Sequence, residues 1–347
     1  MADISMKTKA IFLASALLVG CQISGPGAPV SVDQSQDRST ADQKSEPEKY
    51  TDNRHIQFWS KKPAAVTRSD LWNFIGDELK MNVPENTRIR EQKHNILKNK
   101  RWLHNTVSRA EPYLHWVVDQ IRQRNMPMEL VLLPIMESTF DPQATSSSDA
   151  TGLWQIVPGT ARNYGLKKNQ WYDGRRDVAA STGAALDMLA HLNVMFDGDW
   201  LLTIAAYNGG EGRVMRAVKD NKKKGKLTHF WALSLPRETA VYVPKMLALG
   251  NIIKHSKQNG VNLPPPDADR ALAQIEVSQR IHLSQVAKMA GIPLKQVKSY
   301  NSGYTRNITE PDGPHYIMLP RAHVGRFQDS LAAVVRKNLP PRSKKAI

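Results

Sequence analysis

Glu137 is the residue of this chain best placed to transfer a proton. It stands at the end of an apolar run, residues 130–136, and a carboxyl group held against apolar side chains loses hydration when it ionises. Its pKa therefore rises, and it can hold a proton near neutral pH. A general acid that attacks an acetal, such as a glycosidic bond, needs this property. A lone glutamate at a helix end is more often a solvated surface charge, so the hypothesis depends on the motifs around it.

Four motifs occur in a fixed order along the chain. The first runs from Glu137 to a proline five residues later, and the second reads Gly-Leu-Trp-Gln-Ile-Val-Pro-Gly-Thr-Ala. The third reads Ala-Tyr-Asn-Gly-Gly, and the fourth places a tyrosine three residues after a Glu-Thr pair. They occupy residues 137–142, 152–161, 206–210 and 238–242. Their order and spacing resemble those of the lytic transglycosylase (SLT-type, lysozyme-like) family over residues 115–255.

The resemblance implies that Glu137 alone performs both proton transfers. It would protonate the oxygen between N-acetylmuramic acid (MurNAc) and N-acetylglucosamine (GlcNAc) in a β1,4 linkage of peptidoglycan. It would then accept the proton of the MurNAc C6 hydroxyl, whose oxygen closes a 1,6-anhydro ring. No second carboxylate stands out as the partner that most glycosidases use. Asp141 is predicted to belong to a turn, and three other aspartates fall in predicted loops and caps: Asp149, Asp173 and Asp177.

The same resemblance implies supporting roles for six residues. Ser146 and Gln155 would hydrogen-bond the substrate and help to hold the acetamido group of the sugar. Tyr207 would bond either Glu137 or the sugar. The others would hold the loop and complete the surroundings of Glu137: Asn208, Glu238 and Tyr242.

Two positions near the second motif leave alternatives open. Trp154 is either a core residue or a platform on which a sugar ring stacks. Asp149 and Ala150 stand where many relatives have a Gly-Ala pair. We expect this departure to affect the local turn rather than the chemistry.

The composition favours an acidic partner. The chain has 48 Lys and Arg against 32 Asp and Glu, a net charge of +16, which suits nucleic acid, anionic lipid or acidic wall polymers. Basic stripes with interleaved aromatics, zinc-finger spacing and helix-turn-helix patterns are missing from the sequence, which disfavours nucleic acid. The peptides of peptidoglycan carry carboxylates, so its glycan strands are the expected partner. We expect a monomer.

We expect neither a metal nor a cofactor. The ten histidines are scattered, and the single cysteine, Cys21, lies near the amino terminus. Neither residue type shows metal-ligand spacing, and no glycine-rich loop suited to phosphate binding occurs.

The amino terminus predicts a lipoprotein. Lysines precede an apolar run at 10–19 that is too short to anchor as a spanning helix, and the run ends in Leu-Val-Gly-Cys. Residues 1–21 are therefore predicted to be a lipoprotein signal peptide with acylation at Cys21, although Met6 is an alternative start. The ending of the run resembles the bacterial lipoprotein box, and lipoproteins retained in the inner membrane usually have Asp at the next position. With Gln22 there, the resemblance implies an anchor in the inner leaflet of the outer membrane, facing the periplasm of a Gram-negative bacterium.

The remaining chain predicts a mainly α protein: a lysozyme-like catalytic domain with a small α/β LysM-like module at the carboxy terminus. Residues 22–54 are rich in small and polar residues and predict a flexible tether. Residues 55–258 are predicted to form the helical domain, with Glu111-Pro112 predicted to interrupt one helix. A Pro-rich hinge is predicted at 259–269, a strand-helix-helix-strand module at 270–322, and a solvated basic tail at 323–347. The module resembles LysM glycan-binding modules but lacks their usual Gly-Asp-Thr.

Two other functions compete with the leading hypothesis. A lysozyme-type muramidase would cut the same bond with water and would leave reducing ends. A wall-binding lipoprotein that has lost activity would bind peptidoglycan without cutting it, although the intact motif around Glu137 disfavours this alternative.

Overall fold

The computed structural model describes residues 71–277 and 280–338. The predicted signal peptide with Cys21 and the predicted tether lie outside these residues. Within them, helices dominate, as the sequence predicts. The catalytic part contains α1 (Leu71–Glu78), α2 (Thr87–Lys98), α3 (Lys100–Gln123), a 3-10 turn (Met128–Leu132), α4 (Leu133–Ser138), α5 (Pro158–Asn163), α6 (Val178–Met195), α7 (Trp200–Gly209), α8 (Glu211–Lys223), a second 3-10 turn (Phe230–Ala232) and α9 (Arg237–Lys254).

The long helices α3 and α9 frame the core. Helix α3 buries one face against the 3-10 turn that precedes α4 and against α6, and α9 packs on α2 and α7. Helix α7 is short and its residues from Leu202 to Ala206 are all buried. Asp199 caps it, since the Asp199 carboxylate accepts from the backbone N–H groups of Leu201 and Leu202. Helix α9 also packs on the 3-10 turn that leads into α4, so the fourth motif lies against α7 and beside the start of α4.

Helix α3 continues through Pro112, so the predicted interruption is wrong. A proline inside a helix removes one backbone hydrogen bond, here the bond that would reach Ser108. Ser108 is exposed, so water can satisfy its carbonyl group. The apolar stripe on both sides of Pro112 is buried, and packing of this stripe outweighs the local cost.

The carboxy-terminal module has the predicted strand-helix-helix-strand order. Strands β1 (Leu272–Glu276) and β2 (Tyr316–Pro320) pair antiparallel, with Leu272 opposite Pro320 and Glu276 opposite Tyr316. Between them lie α10 (Leu283–Ala290) and α11 (Leu294–Tyr300). Gly291 ends α10 with a φ of 69°, a conformation that favours glycine.

The residues that follow β2 correct one expectation. Instead of a solvated tail beginning at 323, the chain forms α12 (Arg321–Asn338), which packs against α10 and both strands. Phe327 is fully buried, and Val324 and Leu331 pack beside it. Apolar residues at spacings of three and four outweigh the basic composition here.

The module also packs on the catalytic helices. The backbone N–H of Asp173 donates to the Gly303 carbonyl at 2.9 Å, and the N–H of Thr305 donates to the Trp171 carbonyl at 2.9 Å. The rings of Tyr172 and Tyr304 lie 5.5 Å apart. The boundary at 259–269 stays a prediction, but the two parts it separates are in direct contact.

Candidate active site

Glu137 lies in the last turn of a short helix that buried residues hold in place. The 3-10 turn Met128–Leu132 continues directly into α4, and Leu130 through Leu133 and Ile135 are fully buried. The chain then turns sharply, with Thr139 and Phe140 at φ values of 54° and 56°. Phe140 is fully buried and fixes this turn. Glu137 itself stays partly exposed, so a substrate can reach it.

The carboxyl group of Glu137 contacts the hydroxyl of Tyr242, which donates a hydrogen bond to Glu137 Oε1. Burial is the main influence on Glu137 and raises its pKa from the ordinary 4.5 to about 7, although the bond from Tyr242 acts in the opposite direction. The pKa of Tyr242 is raised far above its usual value, mainly by burial and then by the charge of Glu137. Tyr242 therefore remains protonated and stays a donor. Near neutral pH, both the protonated and the ionised form of Glu137 are populated. This suits a group that donates a proton and then accepts one.

Two charged residues on α9 flank this pair. Lys245 lies one turn beyond Tyr242, and its positive charge lowers the pKa of Glu137. Burial in turn lowers the pKa of Lys245, while Glu137 raises it. Glu238 lies one turn before Tyr242, is exposed, and raises the pKa of Glu137 through its negative charge. Tyr242, Lys245 and Glu238 thus all act on the pKa of Glu137 from one helix.

The start of the second motif forms a loop that is bound both to the catalytic helix and to α7, through the carbonyl groups of two adjacent residues. Ser138 Oγ donates to the Leu153 carbonyl at 2.9 Å, directly beside Glu137 in the chain. Tyr207 Oη donates to the Trp154 carbonyl at 2.7 Å. Tyr207 therefore holds the loop, and the charge of Glu137 contributes to raising its pKa after the larger effect of burial.

The side chain of Trp154 belongs to the core. It is fully buried, and its indole N–H donates to Thr182 Oγ1 at 3.0 Å. Of the two alternatives that the sequence leaves open, this favours the core residue over the stacking platform.

Gly152 is required for the loop to approach its support. Its φ is 85°, and a Cβ atom there would lie 1.8 Å from the Arg175 carbonyl oxygen. Arg175 is buried and pairs with Asp173, with Nη2 at 2.8 Å from Oδ2. Its Nη1 donates to the Asp149 carbonyl at 2.6 Å. Asp149 has a φ of 58°, so an aspartate occupies a left-handed backbone conformation that favours glycine.

The predicted substrate-binding residues lie on this loop or beside it. Gln155 Nε2 donates to the Gly152 carbonyl at 2.9 Å. Ser146 Oγ lies 3.0 Å from Ser148 Oγ and accepts from the Ala150 backbone N–H at 3.1 Å. Asn208 Oδ1 is buried and has no hydrogen-bond partner among the described residues. A buried acceptor without a partner costs folding free energy, and a donor group on a bound ligand would remove that cost.

The structure brings Glu137, Tyr242 and Glu238 together, and connects Tyr207 to them through the loop. It does not record a contact from Ser146 or Gln155 to Glu137. Sequence reasoning missed Lys245 and the anchoring role of Ser138. Lys245 could have been found, because it lies three residues after Tyr242 and so on the same face of a helix.

Two family models match the chain in succession. Residues 116–230 match the transglycosylase SLT domain. Residues 271–336 match the LysM-like domain of lytic transglycosylase MltD. The second match spans most of α12, in agreement with the correction to the predicted tail.

Curated relatives match over between about two fifths and nearly all of this chain. Membrane-bound lytic murein transglycosylase D of Escherichia coli strain K12 is 53% identical over 94% of this chain and 71% of its own length. A putative tributyltin chloride resistance protein of an Alteromonas species is 43% identical over 43% of this chain and 72% of its own. Among solved structures, the soluble lytic transglycosylase SLT70 of E. coli aligns over 54% of this chain and 33% of its own, with 18% identity and a TM-score of 0.37. By its identity to the E. coli K12 relative and the coverage of both chains, this chain belongs to the family of membrane-bound lytic murein transglycosylase D.

Proposed function

We propose that this chain is a peptidoglycan lytic transglycosylase that cleaves the MurNAc-(β1,4)-GlcNAc bond and leaves a 1,6-anhydromuramoyl end, for remodelling and turnover of the cell wall. One observation carries the proposal: Glu137, with its pKa raised to about 7 by burial, accepts a hydrogen bond from Tyr242 inside four motifs of this family. Membership of the family supports the same activity.

The reaction balances with Glu137 as the only group that exchanges protons. The protonated carboxyl group gives its proton to the glycosidic oxygen as the bond from MurNAc C1 to that oxygen breaks, which releases the GlcNAc hydroxyl. The C6 hydroxyl oxygen of MurNAc then bonds to C1, and its proton passes to the Glu137 carboxylate. The acid is regenerated, and no water enters the product.

The residues around Glu137 serve both halves of this cycle. Tyr242 holds one carboxyl oxygen in a fixed direction, so the proton is presented to one side. Lys245 stabilises the carboxylate that exists between the two transfers, because opposite charges attract more strongly in a partly buried site. Asn208, Gln155 and Ser146 are proposed to bind the sugar, Asn208 through its unpartnered Oδ1.

A muramidase is the second candidate. The observation that favours it is the presence of a second carboxylate, Glu238, near Glu137. Its negative charge acts on Glu137, and a second carboxylate is what a hydrolase would use to activate water. Mass spectrometry of the products separates the two reactions, because the muramidase leaves reducing ends and the transglycosylase leaves anhydro ends.

The substitution Glu137→Gln tests the proposed function. It keeps the shape of the side chain but removes the transferable proton, so cleavage of purified peptidoglycan should fall by about 10²–10⁴-fold or more. The variant should also remain folded. Because the pKa of Glu137 is raised, its ionisation disfavours the folded state as the pH rises from about 4.5 through about 7. Removal of the ionisable group should therefore leave thermal stability at pH 7 equal or higher. Cleavage close to that of the unsubstituted enzyme would overturn the assignment of Glu137.

We also propose that the chain is a lipoprotein of the outer membrane, acylated at Cys21. The described residues contain no helix that is both long and apolar enough to cross a membrane. The E. coli K12 relative is named as membrane-bound, and the signal-like sequence that ends at Cys21 is the feature of this chain that supports a lipid anchor.

A further inference from the structure

A cleft of about 740 Å³ lies between the catalytic domain and the module. Its walls are α3, the turn that follows α4, the residue Arg270 before β1, and one side of α11 from its first to its last residue. The volume is typical of a site for a small ligand. Its lining residues have no part in the reaction described above, and we call it the basic cleft.

Four cations line the basic cleft: Arg109, Arg270, Lys295 and Lys298. The two arginines are already engaged. Arg270 pairs with Glu111 at 3.1 Å, and Arg109 Nη1 donates to the Thr139 carbonyl at 2.9 Å.

The two lysines have no such partner. In residues 71–277 and 280–338, neither Lys295 nor Lys298 forms an ion pair or a side-chain hydrogen bond. Their ammonium groups are therefore available for an anion that enters the cleft.

The remaining walls suit a peptide rather than a simple anion. The rings of Tyr113 and Tyr300 meet edge to face, with centroids 6.5 Å apart, and Leu294 is 36% exposed. These surfaces can contact aliphatic side chains. Asp141 lies in the same walls and can accept from an amino group. A suitable ligand would have carboxylates for the lysines, short aliphatic side chains for the apolar surfaces, and an amine for the carboxylate of Asp141.

The cleft starts close to the reacting atoms. Asp141 follows Glu137 by four residues, so their Cα atoms are at most about 14 Å apart. A peptide of about four extended residues covers the same distance. The cleft, which Asp141 lines, therefore begins within the length of a short extended peptide from the catalytic carboxyl group.

We propose that the basic cleft binds the carboxylate-bearing peptide of the wall polymer while its glycan strand occupies the active site. This proposal rests on the proposed function. An anionic membrane surface would also attract lysines, but the anion-binding groups here line a concave cleft beside the catalytic helix, which favours a narrow ligand over a flat surface.

The test compares two double variants of the full-length chain. Lys295→Glu with Lys298→Glu reverses both free charges in the cleft. Lys226→Glu with Lys288→Glu makes the same change in charge at two exposed lysines that do not line the cleft. Each pair is measured for kcat/KM on peptide-bearing glycan strands and on strands stripped of peptide. Each is also placed in a Glu137→Gln background, and binding of soluble peptide-bearing disaccharides is measured without turnover.

The cleft variant should lose about threefold to tenfold in kcat/KM on peptide-bearing strands, since each exposed ion pair contributes modestly. It should keep its rate on stripped strands. Binding of the disaccharides in the Glu137→Gln background should fall by a similar factor. The control pair should match the unsubstituted enzyme in both measurements.

Equal losses on both substrates, or unchanged binding of the disaccharides, would overturn the proposal. Binding to vesicles of anionic lipid is measured for the same variants. If the cleft variant loses only this binding, the proposal is also overturned, because the lysines of the basic cleft would then contact the membrane. If the unsubstituted enzyme cuts neither substrate, the proposed function fails, and the disaccharide binding measurement still decides whether the cleft takes the peptide.

Discussion

The carboxyl group of Glu137 can exchange a proton near neutral pH because opposing influences act on it. Burial and the charge of Glu238 raise its pKa, while the hydroxyl of Tyr242 and the charge of Lys245 lower it. Desolvation alone would hold the proton too tightly, and the two lowering influences allow the carboxylate to form. Tyr242, Lys245 and Glu238 lie on one face of α9, so a single helix adjusts the pKa that burial raises.

Replacement of Tyr242 by Phe should change both the rate and its dependence on pH. The hydrogen bond that lowers the pKa of Glu137 is lost, so that pKa should rise above about 7. The alkaline limb of the activity profile, where Glu137 loses its proton, should therefore move to higher pH. Turnover at the optimum should fall by about tenfold to a hundredfold, because a hydrogen bond to a charged group contributes about 1.5–3 kcal/mol. The full profile of kcat against pH gives both results.

Tyr164→Phe provides the matched control, since Tyr164 is not among the groups that act on Glu137. Its profile should coincide with that of the unsubstituted enzyme. An alkaline limb that stays in place, or moves to lower pH, in the Tyr242 variant would show that the phenol does not tune Glu137.

Among the elements, those with a strong periodic pattern were predictable. The strand-helix-helix-strand order of the module is confirmed, and Asp177 caps α6 as the sequence predicts, with its carboxylate accepting from Ala179 and Ala180. The interruption at Pro112 and the solvated tail at 323 were wrong because tertiary packing outweighed local composition. Because the end of the chain is rich in basic residues, its composition predicted a solvated tail, and the helix that buries Phe327 was missed.

Contacts between distant segments could not be read from the sequence. Tyr207 was expected to bond Glu137 or the sugar, but its hydroxyl holds the Trp154 carbonyl. The close approach of Gly152 to Arg175 also depends on a fold that brings two loops together. The sequence identified the chemistry of the residues, and only the structure could give their partners.

The contact between the module and the catalytic domain depends on a second glycine. A Cβ atom at Gly303 would lie 2.8 Å from the Tyr172 ring and 2.9 Å from Asp177 Cβ. Gly303→Ala should therefore force the module away from the start of α6, at a cost of about 1–3 kcal/mol. Thermal unfolding of the full chain should show a lower Tm. Gly325→Ala is the control, because a Cβ there meets no atom within 4 Å and alanine favours a helix. Equal Tm values for the two variants would contradict the role of Gly303.

At the scale of the whole molecule, the module is part of the support of the active site. Gly303 holds Asp173 through a backbone hydrogen bond, Asp173 holds Arg175, and Arg175 holds the carbonyl of Asp149. This series of contacts runs from the module to the loop that carries Gln155. The module therefore has a structural function here, whether or not it also binds glycan.

The proposed anchor gives the last prediction, Cys21→Ser. An acylated cysteine with several chains holds a protein on a membrane far more firmly than a single chain does, and serine cannot form the thioether on which that acylation depends. The variant should therefore be found in the soluble periplasmic fraction, or remain attached through an uncleaved signal. Cys21 lies far from residues 71–338 in the chain, so activity on soluble muropeptides should equal that of the unsubstituted enzyme. Cell fractionation with mass spectrometry of the amino terminus measures both the location and the processing. A processed Cys21→Ser protein that still reaches the outer membrane would show that the anchor lies elsewhere in the chain.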